Sequence, residues 1–220
     1  MVSIARAFDR ILRDNFRMNA AWLPLTSSFR LGEYGLWRGG IFQAIGNVAD
    51  DFGVELREVE GSPVNFDFTS QGVQIIDAGG GAKGQVKSLA TVDAAAEVKA
   101  QAASSFVLRA PSLTSRRLEN VAAIGARLLD ARRRKEGPRW RTRYKLVSEV
   151  FVGDAVTILA TIEAETTILL RGKASDAKEL LSGNVKATVS ADKSLGLSFL
   201  GATGPVGLRL ARIKNSGRVA

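Results

Sequence analysis

From Trp140 to Leu170 the chain alternates large apolar and polar residues for almost its whole length, around a break at Gly153-Asp154-Ala155. Even positions hold Trp140, Thr142, Tyr144, Leu146, Ser148, Val150 and Val152, then Val156, Ile158, Ala160, Ile162, Ala164, Thr166, Ile168 and Leu170. Odd positions hold Arg141, Arg143, Lys145, Glu149, Thr157, Thr161, Glu163, Glu165, Thr167 and Arg171, interrupted by Val147, Phe151, Leu159 and Leu169. A period of two marks a β-strand with one apolar face. Paired residues of an antiparallel ladder share a face, so turn length can be tested against the pattern. A two-residue loop at Gly153-Asp154 opposes apolar to polar. A three-residue loop ending at Ala155 instead pairs Val152 with Val156, Val150 with Ile158, Leu146 with Ile162 and Trp140 with Ile168. It also sets Lys145 against Glu163 and Arg143 against Glu165. The pattern therefore predicts one long hairpin with Leu146, Val150, Val152, Val156, Ile158 and Ile162 on its apolar face.

The rest of the chain alternates between both periods. Ile4, Ala5, Phe8, Ile11 and Leu12 stand at helical spacing with Arg6, Arg10, Arg13 and Arg17 among them, a basic amphipathic helix over residues 3–16. Such a helix either packs on the body of the fold or meets anionic lipid. The segment 22–56 is mixed, with turn signals at Gly32, Gly35 and Gly39-Gly40. Val64, Phe66 and Phe68, a turn at Gln71-Gly72, and Val73 to Ile76 read as a second hairpin. Asp77 to Gly84 is a glycine-rich loop without the Lys-Ser/Thr of a nucleotide loop. Alternation over 86–108 predicts strand, with an alanine-rich helix over 93–103 as the competing reading.

A helix is predicted from Thr114-Ser115 through Leu118, Val121, Ile124 and Leu128 to a stop at Gly137-Pro138. A short helix over 175–181 follows, with Ser175 as cap and Gly183 as stop. Strands at 185–189 and 195–200, a turn at Gly201, Gly204 and Pro205, a last strand at 206–213 and a frayed tail complete the chain. The fold class expected is α+β, a twisted antiparallel sheet with long alternating strands flanked by helices. A single domain is expected over 1–220: a helix at 1–17, a body at 18–208 and a basic tail at 209–220.

Charge adds a partner class to this picture. With 31 Lys+Arg against 22 Asp+Glu the net charge is +9, which favours anionic partners. Arg132, Arg133, Arg134, Lys135, Arg139, Arg141, Arg143 and Lys145 crowd one stretch, whereas a helix C-terminus needs only one or two cations. This stretch is the candidate anion-binding patch, and Arg6, Arg10 and Arg13 are a second one. The chain has no cysteine and no histidine, which removes thiolate and imidazole chemistry and most transition-metal sites. No cofactor or metal is expected, and an enzyme is the least favoured class. Glu163 and Glu165 are better explained as ladder ion pairs than as a catalytic pair. The N-terminus lacks the pattern of a secretory signal, and no apolar run reaches the ~20 residues of a membrane helix. The expectation is a protein that is soluble and cytoplasmic when synthesised.

At this point the chain resembles the pore-forming domain of gasdermins, particularly the short bacterial members. The residues carrying the resemblance are Arg143-Tyr144-Lys145-Leu146-Val147-Ser148-Glu149-Val150, which look like the strand entering that family's central sheet, and the alternating stretches on either side of the helix at 115–135. The resemblance implies a resting state held by a short C-terminal segment and released by an activating protease. It further implies a homo-oligomeric β-barrel at the inner face of the cell membrane, in cell death or antiphage defence. The N-terminal cysteine of the bacterial members has no counterpart here. Alternation suits a barrel, whose strands need about 9–11 residues to cross. The basic residues would attract anionic membrane lipid by about 1 kcal/mol each near the surface. The alternatives are a nucleic-acid-binding module tracking phosphates along 132–145, and a self-assembling structural protein. For nucleic acid the only interleaved stacking groups are Trp140 and Tyr144, both on the apolar face.

Overall fold

The structure, a computed structural model, describes residues 3–77, 93–133, 138–214, 216, 218 and 219. In chain order its elements are α1 (Ile4–Phe16), β1 (Asn19–Ala20), β2 (Glu33–Arg38), β3 (Ile41–Asn47), α2 (Val48–Phe52), β4 (Glu58–Glu60), β5 (Val64–Thr69), β6 (Val73–Asp77), β7 (Asp93–Ala100) and β8 (Phe106–Leu118). There follow α3 (Val121–Arg132), β9 (Lys145–Thr161), β10 (Thr166–Lys173), α4 (Ala177–Leu181), β11 (Ala187–Ala191) and β12 (Leu195–Arg212). The fold is α+β with antiparallel sheets, as the two periodicities require. The chain forms two compact units. Unit 1 takes Met1–Pro63, Thr114–Val152 and Gly204–Ala220, and unit 2 takes Val64–Leu113 and Gly153–Thr203.

In unit 1 the strand order runs β1-β12-β9-β2-β3, with β4 on β8. Helix α1 buries Ala5, Phe8 and Leu12 and exposes Arg6, Arg10 and Arg13, the division its spacing predicts. Its one buried charge, Asp9, accepts hydrogen bonds from Ala20 N at 3.1 Å and Asn19 Nδ2 at 3.4 Å, which ties the helix to β1. The core gathers Tyr34, Phe42, Phe52, Ile124, Leu128, Trp140, Leu146 and Val150. Burying side chains of this size stabilises by about 1.5–3 kcal/mol each.

Unit 2 contains a four-stranded antiparallel sheet in the order β11-β10-β7-β6, and β5 pairs with β8. Its core is aliphatic: Ala96, Val98, Leu159, Ile168, Leu170, Leu180 and Leu181. The strand β7 settles residues 93–100 against the helical alternative, because Val98 pairs on one side with Ile75 and on the other with Ile168. Residues 86–92 and most of the glycine-rich loop lie outside the described residues.

Several expected pairings are replaced. The long hairpin does not form: Lys145–Thr161 is one continuous strand, and Gly153-Asp154-Ala155 is an irregularity within it, with Ala155 at φ 51°. The turn falls instead at 162–165, where Glu165 has φ 52° and Thr166 Oγ1 donates to Glu163 O at 2.8 Å. Glu163 and Glu165 are therefore exposed turn residues, and β10 pairs with β7 and β11. The second hairpin also dissolves, since β5 pairs with β8 and β6 with β7. The helix expected from Thr114 begins at Val121, because 116–118 is recruited as strand against 58–60. Asn120 holds that corner by donating to Glu55 O and accepting from Arg57 N. Asp176, not Ser175, caps α4: its carboxylate accepts from Glu179 N at 2.8 Å. The expected turn at Gly201–Pro205 is strand, with Gly201 at φ 64° absorbing the irregularity. The tail is not frayed where described, since Ile213 bridges Val219.

Candidate functional site

Unit 2 is built from two excursions of the chain, each of which departs and returns along paired strands. The first leaves through β4 and β5 and returns through β8. Its pairing sets Phe68 against Leu108, Phe66 against Ala110, Val64 against Leu113 and Glu58 against Leu118. Ion pairs run along it: Arg109 to Asp67 at 3.2 Å and Arg116 to Glu58 at 2.7 Å. Cross-strand pairs of this kind contribute about 0.2–1 kcal/mol each, so they specify register more than they stabilise.

The second excursion leaves through β9 and returns through β12, its neighbour in the sheet. In unit 1, Ser148 Oγ donates to Arg209 O at 3.0 Å, and the Arg209 guanidinium donates to the buried Glu149 carboxylate while lying over the Phe151 ring at 5.5 Å. In unit 2, Thr203 Oγ1 donates to Asp154 Oδ1 at 2.5 Å. Both faces of β9 are covered, which explains why Val147, Leu159, Thr157 and Thr161 on the nominally polar parity are all buried.

Three backbones meet at the irregularities of these strands. A Cβ placed on Gly183, at φ 76°, would sit 2.2 Å from Ala155 O and 2.9 Å from Gly201 Cα, and one on Gly201 would sit 2.3 Å from Gly183 O. Only glycine permits that approach. From the sequence alone Gly183 reads as a helix stop and Gly201 as a turn; nothing local couples them.

Of the apolar set predicted for the hairpin, Leu146, Val150, Val156 and Ile158 are buried, Val152 is half-buried, and Ile162 is 43% exposed just past the end of β9. All six therefore belong to one strand and its end. Among the predicted cations, Arg6, Arg10, Arg13, Arg132, Arg133, Arg139, Arg141 and Arg143 are exposed, and Arg134 and Lys135 lie outside the described residues. Lys145 is half-buried, and burial followed by the Arg212 charge lowers its pKa below the ordinary lysine value. Arg6 lies against the Gly39-Gly40 turn between β2 and β3. Trp140 is 2% exposed, with its ring 5.5 Å from Tyr34, 5.6 Å from Tyr144 and 6.1 Å from Phe52. It is unavailable to stack on a base, which weakens the nucleic-acid alternative. Burial and a hydrogen bond to Asp51 at 2.9 Å raise the pKa of Tyr34 in the same cluster. No helix among the described residues is long and apolar enough to cross a membrane.

No family model and no curated protein matches this chain. Among solved structures, a bacterial gasdermin from Bradyrhizobium tropiciagri aligns at 16% identity and a TM-score of 0.40, covering 97% of this chain and 89% of the other. The cryo-EM structure of the gasdermin A3 membrane pore aligns at 11% identity and a TM-score of 0.34, covering 96% of this chain and 90% of the other.

Proposed function

We propose that this chain is a pore-forming protein whose two excursions open from the compact form of unit 2 into long antiparallel hairpins of an oligomeric membrane barrel. The observation that carries this reading is that each excursion departs and returns along adjacent strands. Each already has the stem of a hairpin, so lengthening it continues an existing ladder. The strands involved hold 13, 17 and 18 residues in β8, β9 and β12, against the roughly 9–11 that cross a bilayer. In lipid every backbone group must find a partner, and a closed barrel of such hairpins provides one.

The exposed cations support the first step. Arg6, Arg10 and Arg13 on α1, and Arg139, Arg141 and Arg143 before β9, would draw the protein to anionic headgroups by about 1 kcal/mol per cation near the surface. Of the six apolar residues, Val156, Ile158 and Ile162, in unit 2, would exchange their present surroundings for lipid, whereas Leu146, Val150 and Val152 belong to unit 1. The protein would act from the cytoplasm on the inner face of the membrane, with proteolysis as the candidate trigger.

Dye release from vesicles tests this. Full-length protein and protein trimmed after Lys214 are added to vesicles containing phosphatidylglycerol and to purely zwitterionic ones. Release that requires the anionic lipid and weakens with salt is expected from at least one form. Intact vesicles with both forms would overturn the reading.

A further inference from the structure

We propose that a cavity of about 420 Å³ in unit 1 is a binding site for a small organic cation with an apolar body, an alkylammonium. The site goes beyond the pore reading and does not depend on it.

The cavity follows from a change of neighbours along β9. At its start β9 pairs with β2 at Lys145 and Leu146, and Gly32 N donates to Val147 O at 3.0 Å. Its other neighbours include β8, whose last residues, Arg116 to Leu118, pair with β4. Val150 and Val152, beyond these β2 contacts, line the cavity. With Phe29, Leu31 and Leu56 they supply the apolar part of its lining. Val150 and Leu31 are buried, and the other three are half-buried. The volume lies within the roughly 300–1,000 Å³ of small-molecule sites, which join an apolar lining to a few polar groups.

Charge selects the class of occupant. Two guanidiniums line the cavity and each is already met by a carboxylate: Arg30 Nε lies 3.4 Å from Glu33 Oε1, and Arg116 Nη2 lies 2.7 Å from Glu58 Oε2. That leaves Asp50, exposed on α2, as the one lining charge without an opposite partner among the described residues. Glu33, the partner of Arg30, also has its Oε2 buried with no hydrogen bond among the described residues, an acceptor short of a donor. In a chain of net charge +9 the local excess here is therefore negative. An ammonium supplies the missing charge and N–H donors together, whereas an anion would add to the unpaired carboxylate. The carbon body of the ligand takes Phe29, Leu56 and Val152 out of water. Because such a ligand touches β4, β8 and β9 in the folded unit, it stabilises that unit by mass action.

Binding of n-octylammonium to the full chain in solution, followed by calorimetry and methyl NMR, tests this. Saturable binding is expected, with shifts at Leu56, Val150 and Val152 and none at Leu129 or Val219, which line a separate groove beside α3. Octanol, which lacks the charge, and octanoate, which reverses it, are expected to bind several-fold more weakly. Asp50→Asn should weaken octylammonium by about two- to fivefold, the size of one exposed ion pair, while Asp14→Asn on α1 leaves it unchanged. Arg30→Gln, which frees Glu33, should tighten it by a similar factor. Asp14, Arg30 and Asp50 are all exposed, so these variants keep the fold. Octanol or octanoate binding as tightly as the amine would overturn the proposal, as would equal affinity in the wild type and Asp50→Asn. Shifts confined to the α3 groove, or no saturable binding of octylammonium, would do the same. Dye release bears on none of these outcomes, so the site and the pore stand or fall separately.

Discussion

The core cluster around Trp140 in unit 1 is held by rings, and the core cluster around Leu170 in unit 2 by aliphatic side chains. Tyr34, Phe52, Trp140 and Tyr144 pack with centroids 5.3–6.1 Å apart, in tilted and edge-on geometries. The core around Leu170 is made of Ala96, Val98, Ala174, Ala177, Ile168 and Leu180. Aromatic pairs add about 0.5–1.5 kcal/mol beyond area burial and demand one geometry. Alanine, valine and leucine demand little, and lipid suits them as well as a protein core does. On the proposed reading, the ring cluster keeps its packing and the aliphatic cluster is the one that opens.

The largest test of that division is Trp140→Ala. Removing a buried tryptophan costs about 3–5 kcal/mol, so chemical denaturation should show a large loss of stability, and vesicle leakage should be lost with the fold. Leu170→Ala, fully buried in unit 2, should also cost about 2–5 kcal/mol, yet leave leakage intact or faster. Equal loss of leakage in both variants would remove the distinction.

Gly183→Ala probes unit 2 at its tightest point. A Cβ 2.2 Å from Ala155 O, at φ 76°, forces the three backbones apart at a cost of about 1–3 kcal/mol. Hydrogen exchange should quicken in α4 and β11 while β2 keeps its protection, and leakage should start sooner. Uniformly faster exchange would show that the two regions do not open separately.

Ile162→Lys separates the soluble state from the inserted one. At 43% exposure the substitution should change folding stability by no more than about 0.5 kcal/mol, whereas leakage should fall sharply. Ile158→Lys cannot serve this purpose, because Ile158 is fully buried and the variant would unfold. Undiminished leakage by Ile162→Lys would show that this position never meets lipid.

The smallest effects concern two ions with opposite consequences. In unit 2 the Ser175 backbone N–H donates to Glu179 at 2.5 Å and lowers its pKa. That contribution is present above the ordinary carboxylate range and lost as pH falls through the lowered folded value. Exchange in α4 should therefore quicken in acid, and Glu179→Gln should remove the dependence. In unit 1 the lowered pKa of Lys145 means that the folded state disfavours its charge. The penalty is complete below the folded pKa and is relieved as pH rises from there to the ordinary lysine value. Lys145→Gln should raise stability slightly at neutral pH; a loss would show that the ammonium is better satisfied than its surroundings indicate.

Much of the fold was legible from period alone. The strand period of β9, the exposed arginines of α1 and the core positions Ile124 and Leu128 of α3 all stand where the sequence puts them, because period is a local property, whereas the polar parity of β9 is buried as well. The close approach of Gly183, Ala155 and Gly201 left no such trace, since three distant segments create it.

What the sequence by itself determined was the helical or strand period of most segments, though 114–118, read as helix, and the turns read at 153–155 and 201–205 are strand. What only the tertiary structure decided was the partner: β9 beside β12 and not folded onto β10, β5 on β8, and β6 on β7. The register test at Gly153-Asp154-Ala155 was self-consistent, but it compared one hairpin with its own slips and never with other strands. Any apolar face can satisfy any other, and each doubling of loop length costs only about 0.6 kcal/mol. A local hairpin therefore holds little advantage over a remote partner that buries both faces of the strand.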